Sequence, residues 1–172
     1  HTAQFAAYAA PQGLTATGGV ISDYTDGPAV YRAHIFTSSG TFEVEELGDF
    51  GDTVEYLVVA GGGGGGNDLG GGGGAGGFRT NVSGHPLASP SPFPVSTSPG
   101  SYTVTIGGGG SGSAGHPSTG TRGVNSSFGP ITSTGGGGGK SRLSSVGNSA
   151  GGSGGGGSYN NTPAGLGNSP PT

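Results

Sequence analysis

Runs of consecutive glycines constrain the fold of this chain more than any other feature of its sequence. They occupy positions 61–66, 70–74, 107–110, 135–139 and 154–157, and glycine accounts for 45 of the 172 residues. Ordering one residue costs about 1–2 kcal/mol of backbone entropy, and glycine loses more than any other residue. Such a chain becomes ordered only if its amides and carbonyls bond to one another in large numbers.

Two ordinary explanations of a high glycine content fit poorly. Collagen needs glycine at every third position, and the run at 61–66 breaks that rule. Disorder driven by charge needs many charged residues, whereas only 8% of these residues are charged. Helices of the polyproline II type have three residues per turn and no internal hydrogen bonds, so without side chains they can pack and bond to neighbours in every direction. We therefore expect packed polyglycine II-type helices, with a flexible coil as the alternative.

A conventional β pattern occupies residues 28–60, ahead of the first glycine run. Residues 29–36 read as a strand, and Phe42 and Val44 share one face of the next one. Residues 53–60 read as a β-branched apolar strand whose last four residues are expected to be buried on both faces. The predicted fold class is mainly β: a small antiparallel β-sheet or sandwich, continued by the packed polyglycine II-type helices, with little or no α-helix.

The chain divides into two parts. Residues 1–27 read as an N-terminal arm, with a short helix or strand at 4–10, that docks on a neighbouring subunit. Residues 28–172 form the glycine-rich β domain, with strands in 28–60 and glycine runs and loops in 61–172. Short β-like pieces separate the runs at 78–80, 102–106 and 128–132. We expect the polypeptide to continue beyond Thr172.

Charge and composition exclude several classes of function. All nine acidic residues lie at or before Asp68, and the four cations that follow are too scattered for a nucleic-acid footprint. The sequence has no Cys, so no disulfide and no Cys-based metal site is possible. No apolar run approaches the roughly 20 residues of a membrane span. We expect neither nucleic-acid binding nor membrane insertion.

Motifs for phosphate, calcium and zinc are each incomplete. Residues 135–141 approach a P-loop, but Thr134 stands where its first glycine belongs. Residues 63–69 resemble a single calcium-binding nonapeptide, a repeat that functions only in stacks. His85 and His116 could meet in space, yet no further ligands accompany them. We predict no cofactor and no metal.

Carboxylates for a glycosidase are also poorly placed. Glu43 and Glu45 alternate with apolar residues and read as the solvated face of a strand, not as a catalytic pair. We predict no catalytic residues and expect that the protein is not an enzyme. A polysaccharide depolymerase is the enzymatic alternative.

Several segments, in order along residues 30–160, resemble the glycine-rich domain of bacteriophage tail and virion proteins. The resemblance implies a non-enzymatic structural protein of a phage tail fibre or other appendage, extracellular on the virion, that displays loops for host attachment. It also implies a homo-oligomer, with a trimer favoured, and contacts with other virion proteins through the arm. The resembling segments are 35–42, 55–64, 73–79, 102–107, 125–129 and 132–137.

A looser resemblance to phage adhesins implies a receptor-binding tip that recognises a host glycan or an outer-membrane protein. The loops at 82–101, 111–123 and 140–150 are the candidates for that contact. A non-viral surface or matrix protein is a further alternative. The candidate contact residues are Arg79, His85, Phe93, His116, Arg122, Lys140 and Arg142.

Overall fold

A computed structural model describes residues 12–89, 91–115, 118–142, 148–159 and 163–168. These residues form strands, turns and extended segments, and none of them is helical, so no described helix is available to cross a bilayer. This confirms the mainly β fold class. The strands are Thr15–Thr17 (β1), Val20–Asp26 (β2), Ala29–Ile35 (β3), Gly40–Glu46 (β4), Thr53–Val54 (β5), Leu57–Val59 (β6), Phe78–Thr80 (β7), Phe93–Pro94 (β8), Ser101–Thr105 (β9), Ser126–Phe128 (β10) and Ile131–Ser133 (β11).

A five-stranded antiparallel sheet, in the order β1-β4-β9-β10-β11, carries the hydrophobic core. Phe42 lies opposite Tyr102, and Ala16 lies opposite Val44, so these side chains share one face. The buried core consists of Ala16, Phe42, Val44, Val95 and Val104. The alternation predicted for β4 is confirmed, because Glu43 and Glu45 are exposed while Phe42 and Val44 are buried.

An aromatic cluster completes this core. Phe93 packs against Phe128 with ring centroids 5.1 Å apart and against Tyr102 at 5.8 Å, while Phe42 meets Phe128 edge-on at 5.8 Å. Such aromatic pairs contribute about 0.5–1.5 kcal/mol each beyond their buried area. Phe93 therefore packs against the core, where its ring is half-buried.

The strand predicted at 53–60 is wrong in two respects. It is divided into β5 and β6, because the amide of Tyr56 donates to the side chain of Asn81 and leaves the strand ladder. Its last four residues are not buried on both faces: Leu57 is 65% exposed and Val59 55% exposed, whereas Val58 and Ala60 are buried. β6 pairs with β7 and contacts β10 and β11, while the face that carries Leu57 and Val59 remains in solvent.

The β-like piece predicted at 128–132 is a hairpin instead of one strand. β10 and β11 pair with each other around a turn at Gly129 and Pro130. Gly129 has a φ of 52°, in the left-handed region that favours glycine, and Pro130 cannot donate to a ladder. Turn residues inside an apolar stretch thus reverse the chain.

Six extended segments continue the sheets and bond to one another through their backbones. We call them tracts 1 to 6. In chain order they are residues 60–66, 70–77, 107–113, 120–125, 134–140 and 152–157. In tract 1, the amides of Ala60, Gly63 and Gly66 donate to tract 2, and those of Gly61 and Gly64 donate to tract 4. The partner repeats every three residues, which is the period of a helix with three residues per turn.

Tract 5, like tract 1, is bonded to several neighbouring tracts. Its five glycines at 135–139 are all buried. The amides of Gly136 and Gly139 donate to tract 1, and those of Gly137 and Lys140 donate to tract 6. These amides therefore already have acceptors and cannot cradle a phosphate, so the P-loop interpretation fails for a structural reason as well.

The approach of the tracts leaves no room for side chains at most of their positions. A Cβ atom on Gly63 would lie 2.1 Å from the carbonyl oxygen of Gly137, far below any real contact. Gly72 is different, because a Cβ atom there would meet nothing within 4 Å. The position three residues after Gly72 is Ala75, so side chains occur where the same three-residue period turns a tract outward.

The hairpin of β2 and β3, which we call the ribbon, stands apart from the other sheets. Its strands pair over all seven residues, from Val20 opposite Ile35 to Asp26 opposite Ala29, and neither pairs with another described strand. His34 ties its base to the core, because its Nδ1 donates to the Gly18 carbonyl oxygen at 2.8 Å. Residues 1–11 lie outside the described part, so the prediction for 4–10 cannot be placed.

Candidate functional site

Described residues of the connections between tracts 1 and 2, 3 and 4, and 5 and 6 meet at one end of the bundle, whereas the other connections between tracts run through β7–β9 and β10–β11. Ser141, fully buried, joins the three connections at this end: its Oγ accepts the amide of Asn67 at 2.9 Å and donates to the carbonyl oxygen of Ser118. The amide of Tyr159 donates to the carbonyl oxygen of Leu69 at 3.2 Å. Four segments distant in sequence therefore form one continuous end surface, which we call the tip.

A turn at Asn67 and Asp68 connects tracts 1 and 2. Asp68 and Leu69 have φ values of 47° and 55°, which reverse the chain between tracts 1 and 2. Leu69 is thereby held 61% exposed, and the neighbouring Tyr159 is 76% exposed. Sequence reasoning missed both residues, although an apolar side chain directly beside a glycine run was a signal that could have found them.

The predicted cations are divided between the tip and the side of the bundle. Lys140 ends tract 5 and Arg142 follows it, both half-buried, with the amide of Arg142 donating to the carbonyl oxygen of Asp68 at 3.2 Å. The Nε of Arg142 is buried with no hydrogen-bond partner in the described part of the chain. Arg122 lies exposed on tract 4, away from the turns. His116 lies outside the described residues.

The loop at 82–101 does not join the tip. Its first half folds back over β7, because the amide of Ser89 donates to the carbonyl oxygen of Thr80 at 2.8 Å. His85 packs edge-on against Phe78, with centroids 5.0 Å apart, and its Nδ1 accepts the amide of Leu87 at 3.1 Å. Only two of the three predicted contact loops are therefore brought together.

This folded loop closes one side of a cleft of about 450 Å³. Arg79 of β7 lies in the wall, and the opposite wall comes from β11 and the turn before it. The side chain of Arg79 is half-buried. Residues that line the cleft include Tyr56, Arg79, Leu87, Ser89, Ile131 and Thr132.

Metal binding has no support from the described side chains. No three His, Asp or Glu residues in the described ranges lie close enough together to hold an ion. The only ion pair between described residues joins Arg32 and Asp23 of the ribbon at 2.8 Å. The hydrogen bond that Arg32 donates to Asp23 holds the pKa of the Asp23 carboxyl below its usual value.

Comparison with known proteins identifies a family for most of the chain. A family model described as a glycine-rich domain matches residues 37–170. Neither a curated protein nor a solved structure matches the chain significantly. The matched region begins at the end of β3 and includes every tract and the tip.

Proposed function

The chain belongs to the glycine-rich domain family, and we propose that it is a non-enzymatic structural protein of a bacteriophage tail fibre or similar virion appendage. Its tracts form the rigid body, and its turns are displayed toward the host. The observation that carries the proposal is the tip, where four chain segments are fixed on a single backbone-bonded bundle. The virion assignment itself rests on the resemblance of residues 30–160 to phage proteins.

We infer that the tracts are polyglycine II-type helices. The three-residue repeat of hydrogen-bond partners supports this. Tract 1 alone makes nine backbone bonds to four other tracts. At about 0.5–1.5 kcal/mol net each, they offset a large part of the entropy that glycine loses. A body of this kind keeps its shape under load, as an appendage must.

Amide hydrogen exchange of the intact protein tests the rigid body. We expect slow exchange at the bonded amides of tracts 1 and 5 and fast exchange at Gly72, which donates no backbone bond. Uniformly fast exchange in 61–77 and 135–157 would refute it. The virion assignment is tested separately, by mass spectrometry and electron cryomicroscopy of purified particles that carry this chain.

We propose further that the protein is a homo-oligomer joined through the ribbon. An isolated two-stranded hairpin is at best marginally stable in water, yet this one is fully paired. On one face it exposes Val20, Ile35 and the stacked rings of Tyr24 and Tyr31. That face carries a formal charge only at Asp26, so copies of an acidic chain can meet there without strong repulsion.

A trimer is the smallest closed ring in which each ribbon lays one face against the opposite face of the next. Exposed Ile21 and Val30 supply apolar contact on that opposite face.

Tyr31→Lys is expected to shift the sedimentation of the protein toward monomer. Phe50→Lys, a control at another exposed ring, is expected to leave it unchanged. A wild-type protein that sediments as a monomer at all concentrations would contradict the proposal. Within the arm of residues 1–27, β1 belongs to the core sheet and β2 to the ribbon, so the docking on other virion proteins that we propose falls to the residues ahead of β1.

A receptor-binding tip is the second candidate, favoured by exposed Leu69 and Tyr159 on one fixed surface. Binding of the isolated protein to host cells would separate it from a purely structural role. Tyr159→Ser is expected to weaken that binding, whereas Phe50→Ser, at an exposed ring outside the tip and the ribbon, is the control. Equal loss in both variants would contradict a contact at the tip.

A further inference from the structure

We propose that the cleft beside Arg79 binds a saccharide that carries a carboxylate, such as a uronic acid residue of a polysaccharide. The inference names a ligand class for the attachment role proposed above and rests on that role for its biological meaning. Its site, however, is on the side of the molecule and not at the tip. The cleft volume of about 450 Å³ lies within the roughly 300–1,000 Å³ of small-molecule sites.

The walls of the cleft are held in place before any ligand arrives. Thr80 Oγ1 donates to the carbonyl oxygen of Tyr56 at 2.8 Å, and Asn81 bonds the amide of Tyr56 at 2.8 Å and the carbonyl oxygen of Val54 at 3.0 Å. The bond from the Ser89 amide to Thr80 fixes the loop on the other side. A pre-formed site avoids the entropy of ordering loops on binding.

Arg79 supplies the charge. Its half-buried guanidinium makes no hydrogen bond or ion pair with the described residues, and none of the residues that line the cleft is acidic. Guanidinium groups bind carboxylates through two parallel hydrogen bonds. A nucleic acid would require a patch of several cations, and Arg79 is the only cation among the described residues that line this cleft.

The remaining lining matches a sugar better than a peptide. The hydroxyls of Ser89 and Thr132 can donate to and accept from sugar hydroxyls, since each is both a donor and an acceptor. Tyr56, Leu87 and Ile131 offer apolar surface for the C–H face of a ring. Leu87 is 70% exposed at the rim, where a ligand can reach it.

Titration calorimetry of the full chain with tri-galacturonate tests the proposal, with the fully methyl-esterified trisaccharide as a neutral probe of the same shape. The charged probe is expected to bind, and the ester at least about 10-fold more weakly, because it loses the charge-assisted hydrogen bonds. Arg79→Gln is expected to lose about 10- to 100-fold in affinity for the charged probe. Arg122→Gln, on the exposed side of tract 4, is the matched control and should bind normally.

A second variant guards against misfolding of the first. Arg79→Lys keeps the charge at this position but loses the planar fork of donors, and is expected to bind the charged probe more weakly than the wild type and more tightly than Arg79→Gln. Equal affinity for the two probes, unchanged binding by Arg79→Gln, or no binding by either probe would overturn the proposal. None of these results bears on the rigid display body, which amide exchange judges independently.

Discussion

Adding one methyl group at the centre of the bundle tests how the glycine tracts are packed. In Gly137→Ala the new Cβ atom would lie 1.8 Å from the carbonyl oxygen of Ser149 and 2.8 Å from the amide nitrogen of Gly155. Both obstacles are backbone atoms, so no side-chain rotation can relieve the contact. The segment that contains Ser149 must move away by more than 1 Å to restore an ordinary contact distance.

That displacement disrupts two hydrogen bonds. They join Gly155 to Ser149 and Gly138 to Asn148, at 2.7–2.8 Å. Losing them costs about 0.5–1.5 kcal/mol each, and the overpacking itself costs about 1–3 kcal/mol. The reduced entropy of the unfolded alanine chain returns only about 0.4–1 kcal/mol. The net loss is about 1–6 kcal/mol, which lowers the melting temperature by roughly 2–20 °C for a chain of this size.

Gly72→Ala is the matched control, because it adds the same methyl group where nothing lies within 4 Å and φ is not positive. It is expected to gain about 0.4–1 kcal/mol from the unfolded state alone, raising the melting temperature by about 1–4 °C. Differential scanning calorimetry measures both variants. If Gly137→Ala has the same melting temperature as the wild type, the tracts are not interlocked and the reasoning from their close approach fails.

Two further predictions concern a pair of buried serines and an ion pair. The fully buried Oγ of Ser133 has no hydrogen-bond partner in the described structure, whereas that of Ser126 accepts the amide of Gly107 at 3.0 Å. Ser133→Ala should therefore leave stability unchanged or raise it, while Ser126→Ala should cost about 1–3 kcal/mol in urea unfolding, and the reverse order would contradict this. Arg32→Gln should raise the pKa of Asp23 toward its ordinary value, followed by NMR titration. Since the pKa of Asp23 is lowered in the folded protein, the stabilisation from this pair is present above the ordinary pKa and is lost as the pH falls through the lowered pKa. An Asp23 titration that is the same in Arg32→Gln as in the wild type would contradict the pairing.

The strands were predictable where the signal was local. Phe42 and Val44 alternate with glutamates, and a period of two needs no knowledge of the rest of the fold. The apolar stretch at 57–60 misled, because an uninterrupted apolar run does not tell which face has a neighbour. Its neighbours, β7 and β10, come from residues far along the chain.

The glycine tracts were predictable as a bonded bundle but not in their arrangement. Identical residues carry no side-chain information about which tract pairs with which, or in what register. The tip could not be foreseen for the same reason, since Ser141 meets Ser118 and Asn67 only through the tract order. Arg79 stood out as one of few cations, whereas Thr132, its neighbour in the cleft, did not.

The way the bundle is bonded also determines how its stability changes with temperature. Only seven hydrophobic residues are buried in the described chain, and the tracts are joined by backbone amides and carbonyls. Exposing apolar surface raises the heat capacity on unfolding, and exposing polar surface lowers it. We expect the heat-capacity change on unfolding to lie well below the usual value of about 12–15 cal/mol/K per residue. The free energy of unfolding should therefore vary little with temperature. A protein of this kind keeps nearly the same margin against unfolding in near-freezing water as in warm water.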